Sequence, residues 1–387
     1  MTEVVQFPKT IALMKSVAED RSVPASQLCI MTSSGKQFTE TCGWIDPENQ
    51  KIPARNDTLF DLASVTKLFT TATFMQLCAA GEVMVDDPVS ALLPDFVGFR
   101  QIKPFEEPLI SGAFRDVSDG FTGPVDAEKI TFRQLLSHSS GIPAWRPLYL
   151  EPDVRTAKQA VLKTFFSYEP GTNVVYSDLN LMLIGWSIEA LTGLSLDNAV
   201  RQLVTEPLNL RQTRFVPKVD SRNPVAIAPT EICHWRKRRL IGEADDENAG
   251  FFNGVLGHAG LFTTASDLAS FGAAFLPPFS FLPFEVVFEM THSQAISKDG
   301  LMNRGIGFQL WSNDSTASFF PFSTEVFGHT GFTGTCLWVD PQREISVALL
   351  TNEVWNGRYN RKIAPFRLSV FKSLLDELEQ NKCEFLE

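Results

Sequence analysis

Ser64 and Lys67 stand three residues apart at the head of a stretch with helical spacing. Side chains at i and i+3 share a helix face, so the amine can reach the hydroxyl. A serine hydroxyl is a poor nucleophile until a neighbour takes its proton. A lysine does this when burial or nearby cations favour its neutral form. The head of the helix adds free backbone N–H groups and the positive end of the dipole, both suited to a developing oxyanion. The chemistry implied is acyl transfer through a serine ester. Ser-x-x-Lys alone is a weak signature, but two further segments accompany it. Pro170-Gly171 leads into Asn173-Val174-Val175-Tyr176-Ser177-Asp178, ahead of an apolar helix through residues 181–185. Near the C-terminus, Gly328-His329-Thr330-Gly331-Phe332-Thr333-Gly334 opens a strand.

The elements that must position these residues are legible in outline. Residues 8–20 have helical spacing, with Pro8 suited to a first turn. Runs 27–32 and 37–44 read as two strands of a hairpin, with Ser33-Ser34-Gly35-Lys36 as the turn. Residues 64–80 form a helix ended by Gly81, its apolar face made by Leu68, Ala72, Met75 and Leu77. From 86 to about 290 the pattern is helices and long loops, with 94–129 a Gly/Pro-punctuated loop. Strands return at 305–311, 334–340 and 345–351, and a last helix covers 363–378. Strands at both ends and helices between them predict an α+β fold. One mainly antiparallel sheet is built from the two termini and flanked by the end helices. Residues 1–80 with 300–387 make the sheet lobe, and 81–299 a mostly helical lobe. The site falls in the cleft between them.

Composition narrows the partners. The 387 residues are 44% hydrophobic and 20% charged, an ordinary globular mixture. The net charge of −11 argues against nucleic acid and anionic membranes. The basic run Arg236-Lys237-Arg238-Arg239 is followed at once by Glu243, Asp245, Asp246 and Glu247, and reads as a locally neutralised loop. The N-terminus has no basic region followed by an apolar run, so no secretory signal is read and a cytoplasmic location is expected. The six cysteines form no Cys-x-x-Cys pair and are expected as buried thiols, with a Cys29–Cys42 bridge between neighbouring strands as the lesser alternative. No stretch reads as a transmembrane helix. The Phe-rich run 271–288, broken by Pro277, Pro278 and Pro283, is expected as a loop packed on the core rather than a lid.

The three segments, in this order, resemble the Ser-x-x-Lys, Tyr-x-Asn and Lys-Thr-Gly set of serine β-lactamases and penicillin-binding proteins, in particular the class C and DD-peptidase/esterase branch. Two more blocks agree: Ile130-Thr131-Phe132-Arg133-Gln134-Leu135-Leu136-Ser137-His138-Ser139-Ser140-Gly141-Ile142, and Leu256-Gly257-His258-Ala259-Gly260-Leu261-Phe262-Thr263-Thr264. The resemblance implies that Ser64 is acylated, that Lys67 accepts or relays its proton, and that Tyr176 serves the leaving group and later the attacking water. It implies that Asp178, His329, Thr330 and Gly331 line the substrate site, with Thr330 contacting a substrate carboxylate or polar group. The backbone N–H groups of Ser64 and Phe332 would form the oxyanion hole. No metal or organic cofactor is implied, and the partner is a small-molecule or peptide substrate. The oligomeric state leaves no mark in the sequence.

Two departures shape the expectations. Asp178 stands where an Asn is usual, and a carboxylate near Lys67 favours its ammonium form; Tyr176 is then expected to carry more of the base role. His329 replaces the Lys of Lys-Thr-Gly, giving a hydrogen-bond donor without a permanent cation. Both changes argue against strong β-lactamase activity. His138 and His258 are expected to tie loops together, and the set His234, Asp245, Asp246, Glu247 and His258 fits no standard metal spacing. The runs 227–231, 235–236 and 242–249 look like a subgroup that includes muropeptide-recycling amidases, except that Ala244-Asp245 replaces Val-His. The expected function is thus a serine hydrolase acting on an ester or amide: an esterase, or a peptidase or amidase acting on cell-wall-derived peptides. A catalytically silent binding protein of the same fold is the alternative. The intact Ser64, Lys67 and Tyr176 speak against it.

Overall fold

The structure, a computed structural model, describes residues 7–110, 112–216, 226–359 and 361–380. Helix α1 (Pro8–Glu19), with its proline in the first turn, leads into the hairpin β1 (Ala25–Thr32) and β2 (Gln37–Gly43). The chain then leaves for the helical body and returns as β3 (Ala295–Ile296), β4 (Asn303–Arg304), β5 (Gln309–Leu310), β6 (Phe327–Thr330), β7 (Cys336–Asp340) and β8 (Ile345–Thr351). These form one antiparallel sheet in the order β3-β4-β5-β6-β7-β8-β1-β2, so β8 bridges the two ends of the chain. The run expected as one strand at 305–311 is split, because Gly305-Ile306-Gly307-Phe308 turns between β4 and β5. Gly307 takes a positive φ of 77° there, and its N–H donates to the Leu136 carbonyl.

Every residue of β8 is buried. Alternate side chains of a strand face opposite sides, and here both sides are covered. Leu28, Ile30, Trp338, Val347 and Leu349 pack with Met14 of α1 and with Phe366, Val370 and Leu374 of the last helix, Ile363–Gln380. Cys29, Leu337, Val339, Ala348 and Leu350 face the other way, into the larger core with Leu268 and Ala269. A sheet covered on both faces explains why 345–351 reads as one continuous apolar run.

The helical body holds α2 (Thr66–Ala79) and α3 (Asp178–Thr192), both mostly buried. Helix α4 (Ala265–Ala273) lies within the run expected as the helical lobe but packs on β1, β7 and β8. Its sheet-facing apolar residues need that cover. Residues 94–129 carry two short strand pairs, Phe99–Arg100 with Val125–Asp126 and Phe105–Glu106 with Phe114–Arg115. In the Phe-rich run, Pro283 starts rather than breaks a helix, α5 (Phe284–Thr291). Phe271 and Phe275 are core residues, the former stacked on Phe69 at 4.0 Å. Cys29, Cys42, Cys78, Cys233 and Cys336 are free thiols. Cys29 faces Thr39 and Cys42 faces Ser26 across the hairpin, so the register keeps the two thiols out of a facing pair; Cys383 lies outside the described residues. Among the described residues no single helix is long and apolar enough to cross a membrane.

Candidate active site

Ser64 sits in a single 3₁₀ turn, Ala63–Val65, that runs straight into α2. The turn is pinned from several sides. Ala63 takes a positive φ of 44°, a strained state for a non-glycine residue, and its N–H donates to Asp61 Oδ1 at 2.8 Å. Thr333 Oγ1 donates to the Asp61 carbonyl at 2.6 Å, and Thr335 Oγ1 to the Leu62 carbonyl at 3.0 Å. These bonds tie the turn to the segment joining β6 and β7. Gly331 makes that approach possible: a Cβ there would lie 2.4 Å from the Leu62 carbonyl oxygen and 2.2 Å from Thr335 Oγ1.

Lys67 is 1% exposed, and its Nζ reaches Ser64 Oγ at 2.9 Å, the His258 carbonyl at 3.1 Å and Asp178 Oδ1 at 2.7 Å. It also lies 4.8 Å from the centre of the Tyr176 ring. Burial works against the ammonium, but Asp178 and then Tyr176 outweigh it, and the Lys67 pKa is raised. The structure therefore has the ammonium–carboxylate pair that the departure at Asp178 suggested. Tyr176 is expected from the sequence to carry more of the base role; burial raises its pKa, with Lys67 opposing, which favours the phenol as a proton donor. Its enclosed hydroxyl lies near Ser64 and Lys67 without a well-aligned hydrogen bond to either.

The Tyr176–Asp178 turn is held by the 138–144 segment. His138 Nδ1 accepts the Ser177 N–H at 3.1 Å, Ser177 Oγ donates to the Pro143 carbonyl at 2.7 Å, and the Asp178 N–H donates to the Ala144 carbonyl at 3.0 Å. Burial, then Arg304 and Lys67, hold the His138 pKa well below its usual value. His138 is thus a neutral tie between loops. His258 does similar work: its carbonyl accepts Lys67, and its Nε2 meets Asp246 Oδ1 at 2.8 Å. Donor atoms of Asp178, Asp246 and His258 lie within 4.8 Å of one another; Asp178 pairs with Lys67, and Asp246 and His258 meet each other. In the basic run, Arg238 pairs with Glu243 as expected, Arg239 pairs with Glu48 instead of the acidic residues that follow, and Arg236 donates to the carbonyls of Ala244 and Asp245.

Opposite Ser64, β6 ends in His329 and Thr330. Burial, then Arg304 and Lys67, keep His329 neutral by holding its pKa well below its usual value. The hydrogen bond of 2.7 Å between Nδ1 and the Thr330 carbonyl puts the ring's one proton on Nδ1. His329 thus donates one hydrogen bond without carrying a cation, but spends it on the Thr330 carbonyl, which leaves Nε2 as an acceptor toward the cleft. The sequence reading missed the cation of this wall, Arg304. It comes from the two-residue strand β4, is 5% exposed, and lies 5.2 Å from the Tyr176 ring centre. Its Nε and Nη1 have no hydrogen-bond partner, and burial lowers its pKa to about 10. This part of the cleft is lined by Ser64, Tyr176, Arg304, Gln309, His329, Thr330, Phe332, Arg361 and Arg367, with no carboxylate among them. Arg361 is paired with Glu353, and Arg367 donates to the carbonyls of Gly331, Gly334 and Thr335. Arg304 is the guanidinium left unused.

A serine touched by a buried amine, in a cleft between a sheet and a helical body, defines the serine hydrolases that work through an acyl-enzyme. Sequence comparison agrees: residues 10–371 match the Beta-lactamase family, and the chain belongs to it. A protein of Salmonella agona (strain SL483) named "Putative D-alanyl-D-alanine carboxypeptidase" is 30% identical over 339 residues, 81% of this chain and 74% of the relative. Simvastatin synthase of Aspergillus terreus has the same fold, with a TM-score of 0.71 at 20% identity, covering 98% of this chain and 100% of that one. So does EstCE1, a hydrolase with promiscuous acyltransferase activity, with a TM-score of 0.69 at 20% identity, 94% and 98% covered. The chain is a serine hydrolase of the Beta-lactamase family.

Proposed function

We propose that the enzyme cleaves an amide or ester whose departing half carries a carboxylate, by acylation of Ser64. The observation that carries this reading is Arg304, a buried guanidinium beside Ser64 with two unpartnered nitrogens. Burying a cation without a partner is costly, and a substrate carboxylate would supply that partner, with the Thr330 hydroxyl beside it. In acylation Ser64 Oγ attacks the carbonyl. Its proton passes to Lys67 as Lys67 hands one to Asp178, so the pair ends as ammonium and neutral acid. Tyr176, a phenol, gives its proton to the departing nitrogen or oxygen and is recharged through the same pair. Water then attacks the ester, and the proton transfers run in reverse. Backbone N–H groups of Ser64 and Phe332 receive the oxyanion.

The Salmonella relative is named for a peptide whose departing residue ends in a carboxylate, which suits the Arg304 wall. An esterase is the second reading. It is favoured by Asp178, because an amine held as ammonium is a weaker base and suits better leaving groups. The division into a sheet lobe, 1–80 with 300–387, and a mostly helical lobe, 81–299, remains our proposal, although α2 packs against α3 in the helical body while α4 and β3 belong with the sheet. A cytoplasmic setting fits the five free thiols; disulfides in protein isolated under alkylation would refute it.

Intact-mass spectrometry tests the function. A fluorophosphonate and a penicillin, which carries a carboxylate, are both expected to add to the native enzyme and to neither in Ser64→Ala. In Arg304→Gln the penicillin-to-fluorophosphonate rate ratio is expected to fall about tenfold or more. No adduct from either reagent would overturn the nucleophile. An unchanged ratio would overturn the role of Arg304.

A further inference from the structure

The cleft is electrically polar. The wall with His329 holds three guanidiniums and no carboxylate. On the other side of Ser64, a cavity of about 250 Å³ is lined by Asp178, Asp245, Asp246 and Glu247 against one cation, Arg358. Three of these four carboxyls are already engaged. Asp178 pairs with Lys67, Asp246 with His258, and Glu247 with Arg358 at 2.7 Å. Arg358 is shared further, with Glu231. Asp245 makes no direct ion pair, Arg358 acting on it only from a distance. It is 2% exposed, and its Oδ1 has no hydrogen-bond partner; the Thr230 hydroxyl near it is in the same condition. Its backbone is fixed, the N–H donating to Asp61 Oδ2 at 2.6 Å and the carbonyl accepting from Arg236 at 2.9 Å. Asp61 also holds Ala63, so Asp245 is tied to the same bracket as the nucleophile.

The cavity continues along aromatic rings. Trp145 and Tyr149, 6.4 Å apart, line it, and Trp235 stands 5.4 Å beyond Tyr149. An orphan carboxyl, a surplus of negative charge and ring faces are what an ammonium recognises. We infer that this end of the cleft binds a positively charged amino group on the half of the substrate that is retained on Ser64. The inference rests on the acylation of Ser64 proposed above and adds a second anchor, making the preferred substrate an aminoacyl compound. Asp245 itself is consistent with this. Burial, then Glu231 and Asp61, push its pKa up to about 8, so the empty site keeps it protonated. An ammonium beside it would reverse that balance and release the proton.

The test uses matched pairs whose departing half carries the carboxylate that Arg304 is proposed to hold: alanyl-4-aminobenzoate of each hand with a free amine, and its N-acetyl counterpart. For at least one hand, kcat/KM is expected to favour the free amine about tenfold or more. In Asp245→Asn, which keeps the shape and the backbone bonds, that ratio is expected to fall about tenfold. Its melting temperature and its fluorophosphonate labelling serve as controls for folding. Equal or better turnover of the N-acetyl forms, a ratio unmoved in Asp245→Asn, or no turnover of any form by an enzyme that still labels at Ser64 would each overturn the inference and leave the serine hydrolase reading standing. Loss of labelling at Ser64 in the native enzyme would instead sink the function on which it rests.

Discussion

The pair Lys67–Asp178 invites the most direct perturbation, Asp178→Asn. Lys67 Nζ and Asp178 Oδ1 are 2.7 Å apart, with side chains 1% and 18% exposed. At an effective dielectric of about 20, two unit charges at that distance attract by about 6 kcal/mol. Asp178, with Tyr176 after it, holds Lys67 above its ordinary pKa; the largest single influence, burial, acts the other way. With Asn in place, only Tyr176 still opposes burial, and the Lys67 pKa falls. The amine then accepts the Ser64 proton without first passing one on. If only a quarter of the attraction, about 1.4 kcal/mol, enters the native barrier, its removal is worth about tenfold in rate. The assay is the rate of Ser64 labelling by a fluorophosphonate, quenched and read by intact mass across pH 5–10. That probe has no amide carbonyl for the new Asn to bind, so the gain reports the base alone. Labelling is expected to be about tenfold faster at pH 8. The acid limb should move to higher pH, because it now follows the free Lys67 instead of the ion pair. A folded Asp178→Asn enzyme that labels no faster at pH 8 would refute the proton relay through the pair.

Other consequences follow from single residues. Gly331→Ala is expected to lower the melting temperature by several degrees and to cut labelling of Ser64 by tenfold or more, since its Cβ would lie 2.4 Å from the Leu62 carbonyl oxygen; thermal denaturation and intact mass check both. Tyr176→Phe should slow turnover of an anilide by about 10²–10³-fold but an activated nitrophenyl ester much less, because a good leaving group does not need the phenol's proton; equal losses on both would contradict the acid role. Asp245 binds its proton in the native state up to about pH 8 against an ordinary 3.8. The native state thus holds more protons than the unfolded chain between those values, and stability falls as pH rises through that window. Asp245→Asn removes the dependence. Its melting temperature relative to the native enzyme is expected to climb by about 2 °C or more from pH 5 to pH 8, read by differential scanning calorimetry.

The catalytic pair was legible because both members lie within one helical turn, where spacing alone dictates contact. The hairpin, β8 and the last helix were legible for the same local reason: two strand-like runs about a Ser-Ser-Gly-Lys turn, an unbroken apolar run and a 3.6-residue stripe. Arg304 was not. It sits on a two-residue strand after a run of polar loop, and its weight comes from burial and from the absence of a carboxylate in a wall assembled from β4, β5, β6 and the last helix. No window of sequence displays that absence. The tautomer of His329 was hidden likewise, being decided by one carbonyl, that of Thr330. The α5 helix was masked by the prolines around it, though Pro283 lies just where a helix can begin.

The two departures from the family pattern also make sense together. Replacing Lys by His at 329 removes a cation from the wall facing Ser64. Arg304 returns one to that wall from β4, two strands away from β6 in the sheet, buried and without an ion-pair partner. Replacing Asn by Asp at 178 adds an anion on the opposite side, where Asp245, Asp246 and Glu247 already gather. The exchange therefore keeps a cation for the departing half but moves it off β6, and deepens the negative end. Charge is separated along the cleft rather than concentrated at the nucleophile. A substrate with an ammonium on one side of the scissile bond and a carboxylate on the other matches both ends at once. One that lacks the carboxylate leaves the Arg304 guanidinium without a counter-charge, and one that lacks the ammonium leaves the neutral Asp245 carboxyl without a partner, which is how such a site discriminates.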